Sequence, residues 1–131
     1  MPYTIAIQPD RRRVVVCGLG SPDVGETMDT MRRLAADPTH DPAFGILADM
    51  RELDYIASFE DLIVLRNGFD ELKASYTGPI AIVLPDLLRY AIARTLSGLT
   101  SMIGIRLEAF RELAAAEVWL AIETGGPGGA A

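Results

Sequence analysis

The chain has 131 residues, half of them hydrophobic, with a net charge of -6 and a single cysteine, Cys17. This composition suits one globular domain and argues against a protein that binds nucleic acid along its phosphates, which needs a clustered basic surface. One cysteine excludes an internal disulfide and a cysteine-rich zinc site, and no apolar run approaches the roughly 18 residues that span a bilayer. The N-terminus also lacks a signal-peptide pattern, so we expect a cytoplasmic protein.

The first two predicted elements form a β-hairpin. Tyr3, Ile5 and Ile7 alternate with polar or small residues, which is the period of a half-buried strand. A proline-containing turn follows at residues 9–10, and residues 13–17 then form a strand with consecutive apolar positions. Such a run predicts burial on both faces, and therefore a central strand in a sheet covered by helices.

A helix and a third strand come next. Four apolar residues at helical spacing predict a helix that ends before Pro38: Val24, Met28, Met31 and Ala35. We expect residues 37–42, which include two prolines, to form an exposed loop. The third strand is predicted at residues 44–48, with Asp49 and Arg51 at its carboxyl end.

The second half of the chain continues the alternation of helices and strands. A helix begins at Ser58, a buried strand covers residues 80–84, and a third helix runs from Asp86 to about Met102. We expect the third helix to bury Leu88, Ile92, Leu96 and Leu99. A short strand near residues 105–110 and a last, apolar helix complete the series.

The element order ββαβαβαβα predicts an α/β fold with four helices and a mainly parallel five-stranded sheet. The first strand pairs antiparallel with the second and should lie at an edge of the sheet. One domain covers residues 1–123. The glycine-rich residues 124–131 lack side chains that could pack, and we expect them to form a flexible tail.

Acidic residues gather where parallel strands are predicted to end, at the side of the sheet where α/β proteins bind ligands. These residues are Asp23, Asp49, Glu52, Asp54 and Asp86. A magnesium site could use two or three such carboxylates, but Asp23 and Asp86 stand where helix N-caps are expected, and we favour capping. We predict no catalytic residue, no metal ligand and no cofactor.

Asp49 and Arg51 are candidates for a binding role, because a carboxylate at the end of a buried strand must be hydrogen-bonded or paired. Alternation puts both side chains on the same side of the strand. We favour a structural pair, and recognition of an anion by Arg51 is the alternative.

Three single residues have simpler interpretations. Cys17 lies in a predicted buried strand and is expected to pack as a small hydrophobe. His40 lies in a polar loop, where a solvated histidine is favoured over a metal ligand. Ser58 is expected to cap the second helix.

The connector before the second helix carries the large apolar residues Tyr55, Ile56 and Phe59. They either pack beneath that helix or form a patch for a partner. We favour burial, because a hydrophobic contact around a helix cap is common.

Four stretches carry a resemblance to a known family. They are Leu47-Ala48-Asp49-Met50-Arg51, Ala81-Ile82-Val83, Tyr90-Ala91-Ile92-Ala93-Arg94, and Phe110 with Ala116-Glu117-Val118-Trp119-Leu120. With these motifs the chain resembles the STAS-like superfamily, the fold of anti-sigma-factor antagonists such as SpoIIAA, and within it a branch of uncharacterised bacterial proteins. The resemblance covers nearly the whole chain up to Glu123.

In the antagonists, an Asp-Ser-Ser-Gly turn follows the third strand, and its second serine is phosphorylated by a partner kinase. Residues 57–60 occupy that turn here, so Phe59 stands at the phosphoacceptor position and Ser58 matches the first serine. The resemblance implies a protein-binding surface around the second helix and weakens the case for a phosphorylation switch. Some relatives in the wider superfamily resemble the CRAL-TRIO lipid-transfer fold, which implies an apolar ligand as an alternative.

The sequence thus favours a non-enzymatic regulatory or protein-interaction module that uses the connector and the second helix, with an unidentified protein partner or a second copy of the chain. The alternative is a binding protein for a small apolar or anionic ligand, a lipid or a nucleotide, held near Arg51 and the second and third helices. The residues predicted for either role are Asp49, Arg51, Tyr55, Ile56, Ser58 and Phe59.

Overall fold

The structure, a computed structural model, describes residues 2–125, which form a five-stranded sheet with four α-helices. The strands are β1 (Tyr3–Gln8), β2 (Arg13–Gly20), β3 (Gly45–Leu53), β4 (Ile80–Val83) and β5 (Leu107–Phe110). The helices are α1 (Val24–Ala36), α2 (Phe59–Leu72), α3 (Leu87–Ser101) and α4 (Leu113–Thr124). Short 3-10 turns lie at Pro9–Arg11 and Lys73–Ser75.

The sheet has the strand order β1-β2-β3-β4-β5. β1 lies at one edge and pairs antiparallel with β2, whereas every other neighbouring pair is parallel. The predicted α/β class, element order and antiparallel edge strand are therefore confirmed. The predicted tail falls mostly on residues 126–131, which lie outside the described part of the chain.

Helix N-termini are capped as the sequence indicates. The Asp23 side chain accepts a hydrogen bond from the Glu26 amide at 2.8 Å, and Asp86 accepts one from the Arg89 amide at 3.0 Å. Ser58 accepts one from the Asp61 amide at 3.1 Å. These bonds satisfy amide groups that a helix leaves free in its first turn, so the three predicted caps are confirmed.

The helices are divided unequally between the two faces of the sheet. Helices α1, α2 and α3 bury their apolar sides with one face of the sheet in the larger core, which includes Met28, Leu65 and Leu96. Helix α4 covers the other face alone, where Ala116 and Leu120 pack in a smaller core with Leu47. Because strand side chains alternate between faces, each strand contributes to both cores.

Helix α4 also explains why β2 differs from its prediction. α4 packs mainly on β3, β4 and β5 and covers the same face of β2 only near its start, where Val15 packs against the smaller core. Along β2, Val14 and Val16 are buried against the three-helix side, whereas Val15 is half-buried and Cys17 is exposed. The predictions that β2 is buried on both faces and that Cys17 packs in the core are therefore wrong.

The end of one strand and the buried face of one helix also differ from their predictions. β3 does not end at residue 48 but continues to Leu53, because β2 extends beside it and pairs with it as far as Gly20. Leu88, predicted to face the core, is 54% exposed in the first turn of α3. Ile92, Leu96 and Leu99 do contribute to the larger core.

Gly78 precedes β4 at a position with no room for a side chain. A Cβ atom at this buried position would overlap the carbonyl oxygens of Ala43 and Phe44, which are backbone atoms and cannot turn away. We predict that Gly78→Ala lowers the free energy of unfolding by about 1–3 kcal/mol, the usual effect of overpacking.

Gly98 provides the matched control, because a Cβ atom there meets no atom within 4 Å. Since Gly98 lies inside α3, Gly98→Ala should raise the free energy of unfolding by about 0.5–1 kcal/mol through helix propensity. Urea unfolding of both variants measures the difference. Equal stabilities of the two variants would show that residues 43–44 do not pack against Gly78.

Candidate functional site

Asp49 and Arg51 form a side-chain pair on β3. Arg51 Nε donates to Asp49 Oδ1 and Arg51 Nη2 donates to Asp49 Oδ2, both at 2.9 Å. These bonds outweigh partial burial and hold the pKa of the Asp49 carboxyl below its usual range. The prediction of a structural pair is confirmed, and both carboxylate oxygens of Asp49 are engaged.

The alternation of side chains along β3 places this pair on the α4 side of the sheet. Asp49 and Arg51 alternate with Ala48 and Met50, which belong to the larger core on the opposite face. The pair is therefore separated from helices α2 and α3 by the sheet itself. It does not form one site with the apolar side chains of those helices.

The connector between β3 and α2, residues 54–58, is held by hydrogen bonds at Asp61. Tyr55 donates its phenolic O–H to Asp61 Oδ2 at 2.8 Å, and the Ser58 amide donates to the same oxygen at 3.1 Å. The Tyr55 bond, followed by the Ser58 bond, lowers the pKa of Asp61. Burial, followed by the carboxylate partner, raises the pKa of Tyr55. The connector therefore has a defined conformation with a neutral tyrosine at its centre.

Arg89 ties the connector to the start of α3. Its Nη2 donates to Asp54 Oδ1 at 2.7 Å, and its Nε donates to the Tyr55 carbonyl oxygen at 3.3 Å. Its Nη1 forms an ion pair with Asp86 at 3.3 Å. The Arg89 side chain is 20% exposed and interacts through all three nitrogens. Arg89 was not among the residues predicted from the sequence, because nothing in its spacing pairs it with a connector 34 residues earlier.

Ile56 and Phe59 point away from the core, with 54% and 65% of their surfaces exposed. The favoured prediction that these side chains are buried is wrong. Tyr55 and Ala57 occupy the inward positions instead and line the space beneath the connector. Ser58, also singled out in the sequence, serves as the cap of α2.

Exposed apolar residues continue along this edge of the sheet. We call them the carboxyl-edge patch, because they lie beyond or beside the carboxyl ends of the parallel strands. The patch consists of Leu19, Ile56, Phe59, Leu87 and Leu88, each more than half exposed. It includes two of the residues predicted for a partner-binding role.

The acidic residues of this edge do not assemble into a metal site. Asp49 is paired with Arg51, Asp54 with Arg89, and Asp23 and Asp86 cap helices. Within residues 2–125, no group of three or more His, Cys, Asp or Glu side chains could hold a metal ion. No helix in the same range is long and apolar enough to cross a membrane.

His40 is half-buried, contrary to its prediction as a solvated loop residue. Its Nε2 lies 2.8 Å from the Ser75 carbonyl oxygen, and its ring packs at 5.9 Å from that of Tyr76. The loop folds back on the 3-10 turn after α2, which the two prolines of the loop do not reveal. His40 is thus a packing residue of this corner of the fold.

A further candidate site is an apolar, partly open cavity between the sheet and helices α1 to α3, with a volume of about 170 Å³. Its wall is made mainly of aliphatic and aromatic side chains, among them Met31, Leu34, Ile46, Ala48, Leu62, Leu65, Phe69, Ile82, Ile92, Ala93 and Leu96. Tyr55, Ala57 and Arg89 line it at the carboxyl edge. Asp49 and Arg51 do not line it.

The alternative prediction from the sequence was a small ligand near Arg51 and the second and third helices, but the cavity itself was not predicted. The alanines offered a signal, since Ala48 and Ala93 stand at inward positions where neighbouring turns or strands carry larger residues. Whether opposing side chains fill such gaps depends on the distance between helix and sheet. A pattern of apolar positions does not contain that distance.

We predict that Arg51→Gln raises the pKa of Asp49 towards its ordinary value of about 3.9, because the substitution removes the charged donor. The folded pKa lies below the unfolded one, so Asp49 stabilises the native state above the unfolded pKa. That contribution is lost as the pH falls through the folded pKa. An NMR titration of the Asp49 carboxyl carbon measures the change, with Arg94→Gln on α3 as the control. An unchanged Asp49 pKa in Arg51→Gln would contradict the pairing.

Comparison with solved structures identifies proteins that share this fold. No protein-family model matches the sequence, and a search of curated proteins finds no match. Among solved structures, the chain is similar to an uncharacterised DUF3478-family protein with a SpoIIAA-like fold from Shewanella loihica PV-4. The identity is 20%, the TM-score is 0.58, and the match covers 90% of this chain and 91% of that one.

A second similar structure is the anti-sigma factor antagonist SpoIIAA in its unphosphorylated form. The identity is 15% and the TM-score is 0.50, over 88% of this chain and 93% of that one. At these identities the likeness establishes the fold and not the activity. The chain therefore has the STAS-like, SpoIIAA-like fold that its motifs predicted.

Proposed function

We propose that the protein is a non-enzymatic module that binds a small molecule in the cavity between the sheet and helices α1 to α3. The observation that carries this proposal is the cavity itself, an apolar space of about 170 Å³ in a domain of this size. Close-packed protein interiors contain few voids larger than a water molecule. A space of this volume beneath three helices is therefore unusual for a packed core.

The energetic cost of an unfilled cavity supports the same conclusion. At about 24 cal/mol per Å³, a fully enclosed empty cavity of this volume would cost about 4 kcal/mol, and this partly open one costs less. Domains are typically stable by only about 5–15 kcal/mol, so part of that cost already matters. A ligand that restores the missing contacts would recover part of it, as benzene does in an engineered cavity of about 150 Å³ in another protein.

The residues around the cavity favour binding over chemistry. The chain's single histidine, His40, does not line the cavity, and general acid–base catalysis relies most often on histidine. Arg89 and Tyr55, the polar residues at the carboxyl edge of the cavity, are each held by carboxylate partners. They support the position of the connector, and the hydroxyl groups of the other polar residues that the structure describes at the wall, Tyr3, Thr27, Thr30 and Tyr76, are also hydrogen-bonded.

A cavity-filling substitution tests the proposal. Ala93 lies on α3, is 5% exposed and lines the cavity, so Ala93→Leu places extra atoms in the space. We predict that a small molecule extracted from purified wild-type protein is lost in Ala93→Leu. Gas chromatography with mass spectrometry identifies and counts it, and the count should approach one molecule per chain in the wild type.

Ala91→Leu is the matched control, since Ala91 is an exposed residue on the same helix. This variant should retain the molecule at the wild-type level. Two results together would contradict the proposal. The wild-type extract would contain no such molecule, and Ala93→Leu would be more stable than wild type while binding added apolar compounds equally well.

A second candidate function, a protein-interaction or regulatory module, is favoured by the carboxyl-edge patch. Large apolar side chains that are more than half exposed at one edge, such as Phe59 and Leu87, are typical of a binding surface. The similar SpoIIAA structure is that of an anti-sigma factor antagonist, which supports a protein partner for this fold. We propose that such a partner contacts the connector and α2, in the cytoplasm.

Control of this interaction by phosphorylation at the antagonist position is not part of the proposal. Phe59 occupies that position, and the Ser58 hydroxyl accepts a hydrogen bond from the Asp61 amide. A phosphate on Ser58 would also stand close to the Asp61 carboxylate, since both groups belong to one capping box. The patch is therefore proposed as a constitutive surface.

We predict that Ile56→Asp with Phe59→Asp abolishes partner binding, because two charges replace the exposed apolar contacts. Cross-linking followed by quantitative mass spectrometry measures the partners, and sedimentation tests for a second copy of the chain. Met102→Asp with Val118→Asp is the control, since these residues are 75% and 60% exposed outside the patch. Identical partners and sedimentation for wild type and the patch variant would rule out this surface.

A further inference from the structure

We propose that the cavity selects an uncharged, hydrocarbon-like molecule of about six or seven heavy atoms that makes no hydrogen bond inside it. This inference rests on the proposed small-molecule function and narrows it to a class of ligand. Three observations carry it: the engagement of the hydroxyl groups at the wall, the neutralisation of the cation at the carboxyl edge, and the volume.

The hydroxyl groups at the wall are already hydrogen-bonded within the protein. The Tyr3 hydroxyl and Thr27 Oγ1 lie 2.7 Å apart and bond to each other. Thr30 Oγ1 donates to the Glu26 carbonyl oxygen at 3.0 Å, and the Tyr76 hydroxyl donates to the Met31 carbonyl oxygen. The wall therefore offers apolar contact surface rather than free donors.

The charged residue at the wall is engaged as well. Arg89 directs its three side-chain nitrogens at Asp54, Asp86 and the Tyr55 carbonyl oxygen. An anionic ligand would have to displace two carboxylates from this guanidinium, and it would approach through a region of negative charge. The geometry thus argues against a nucleotide, a phosphate or a fatty-acid carboxylate in the cavity.

Among the described residues, no buried polar side-chain atom of the wall lacks a hydrogen-bond partner. Throughout residues 2–125, His40 Nδ1 is the one buried side-chain nitrogen or oxygen without a hydrogen-bond partner, and His40 does not line the cavity. A ligand hydroxyl buried in this space would lose its bonds to water and could replace them only with the remaining lone pairs of hydroxyl oxygens that are already bonded within the protein. Burial of such a poorly paired group is unfavourable.

The volume sets the size of the ligand. An engineered cavity of about 150 Å³ in another protein accommodates benzene, whereas pockets for drug-sized ligands have volumes of about 300–1,000 Å³. With about 170 Å³, this partly open cavity takes a molecule slightly larger than benzene, and most of a complete lipid or a nucleotide would lie outside it.

Toluene, phenol and benzoate test the inference, because toluene and phenol have the same size and differ in one hydroxyl group. Binding of each compound to the full chain is measured by titration calorimetry and by the shift in thermal unfolding temperature. We expect toluene to bind at least tenfold more tightly than phenol, and benzoate to cause no shift. Ala93→Leu should remove toluene binding, and Ala91→Leu should preserve it.

A second variant checks the physical reason for the selectivity. Thr27→Val removes the partner of the Tyr3 hydroxyl and so frees a donor at the cavity wall. The ratio of toluene to phenol affinity should then fall severalfold towards one. Thr95→Val, an exposed position on α3, should leave the ratio unchanged.

The outcomes separate this inference from the function on which it rests. If phenol or benzoate binds wild type as tightly as toluene does, and Ala93→Leu abolishes that binding, the proposed ligand class is wrong but the cavity remains a binding site. Absence of binding for all three compounds would overturn both. Toluene binding that Ala93→Leu does not change would overturn the assignment of the site to this cavity.

Discussion

The helices cover the two faces of the sheet unequally, and this asymmetry determines where the charged pair, the cavity and the exposed side of β2 lie. Three helices lie against one face, and α4 alone lies against the other. Because side chains alternate along each strand, a one-residue step decides whether a side chain faces the cavity or α4. Ala48 and Met50 face the cavity, whereas Asp49 faces the α4 side and pairs with Arg51. The charged pair and the cavity are thus neighbours in sequence but lie on opposite faces.

The carboxyl edge connects the cavity to the surface. Tyr55 and Ala57 point towards the cavity, and Ile56 between them is exposed in the carboxyl-edge patch. The same alternation thus gives one short connector two roles, as a wall of the cavity and as part of an apolar surface. Arg89 fixes this connector against α3 through hydrogen bonds to the Tyr55 carbonyl oxygen and to Asp54.

Much of the fold could be predicted from the sequence because it follows from local patterns. The alternation of Tyr3, Ile5 and Ile7 predicted β1, and the residues Asp23, Ser58 and Asp86 predicted three helix starts. The burial of β2 could not be predicted in the same way. A run of apolar residues shows that a strand can be covered on both faces, but the reach of α4 decides whether it is, and that depends on packing between distant elements.

The candidate site shows the same limit. The Asp49–Arg51 pair lies within two residues of sequence and was predictable, whereas the contact of Arg89 with Asp54 and Tyr55 spans a long stretch of chain. The exposure of Ile56 and Phe59 depends on which connector residues turn inward. The cavity depends on distances between helices and sheet. Local sequence patterns encode neither the choice of inward residues nor these distances.

We infer that the native state keeps an apolar space between the sheet and helices α1 to α3. A crystal structure determined under xenon pressure would reveal this space, because xenon enters apolar cavities without needing a polar partner. We expect xenon in contact with Leu65, Ile92 and Leu96, with Tyr55 still hydrogen-bonded to Asp61. A core in which side chains close over this space and no xenon is found would contradict it.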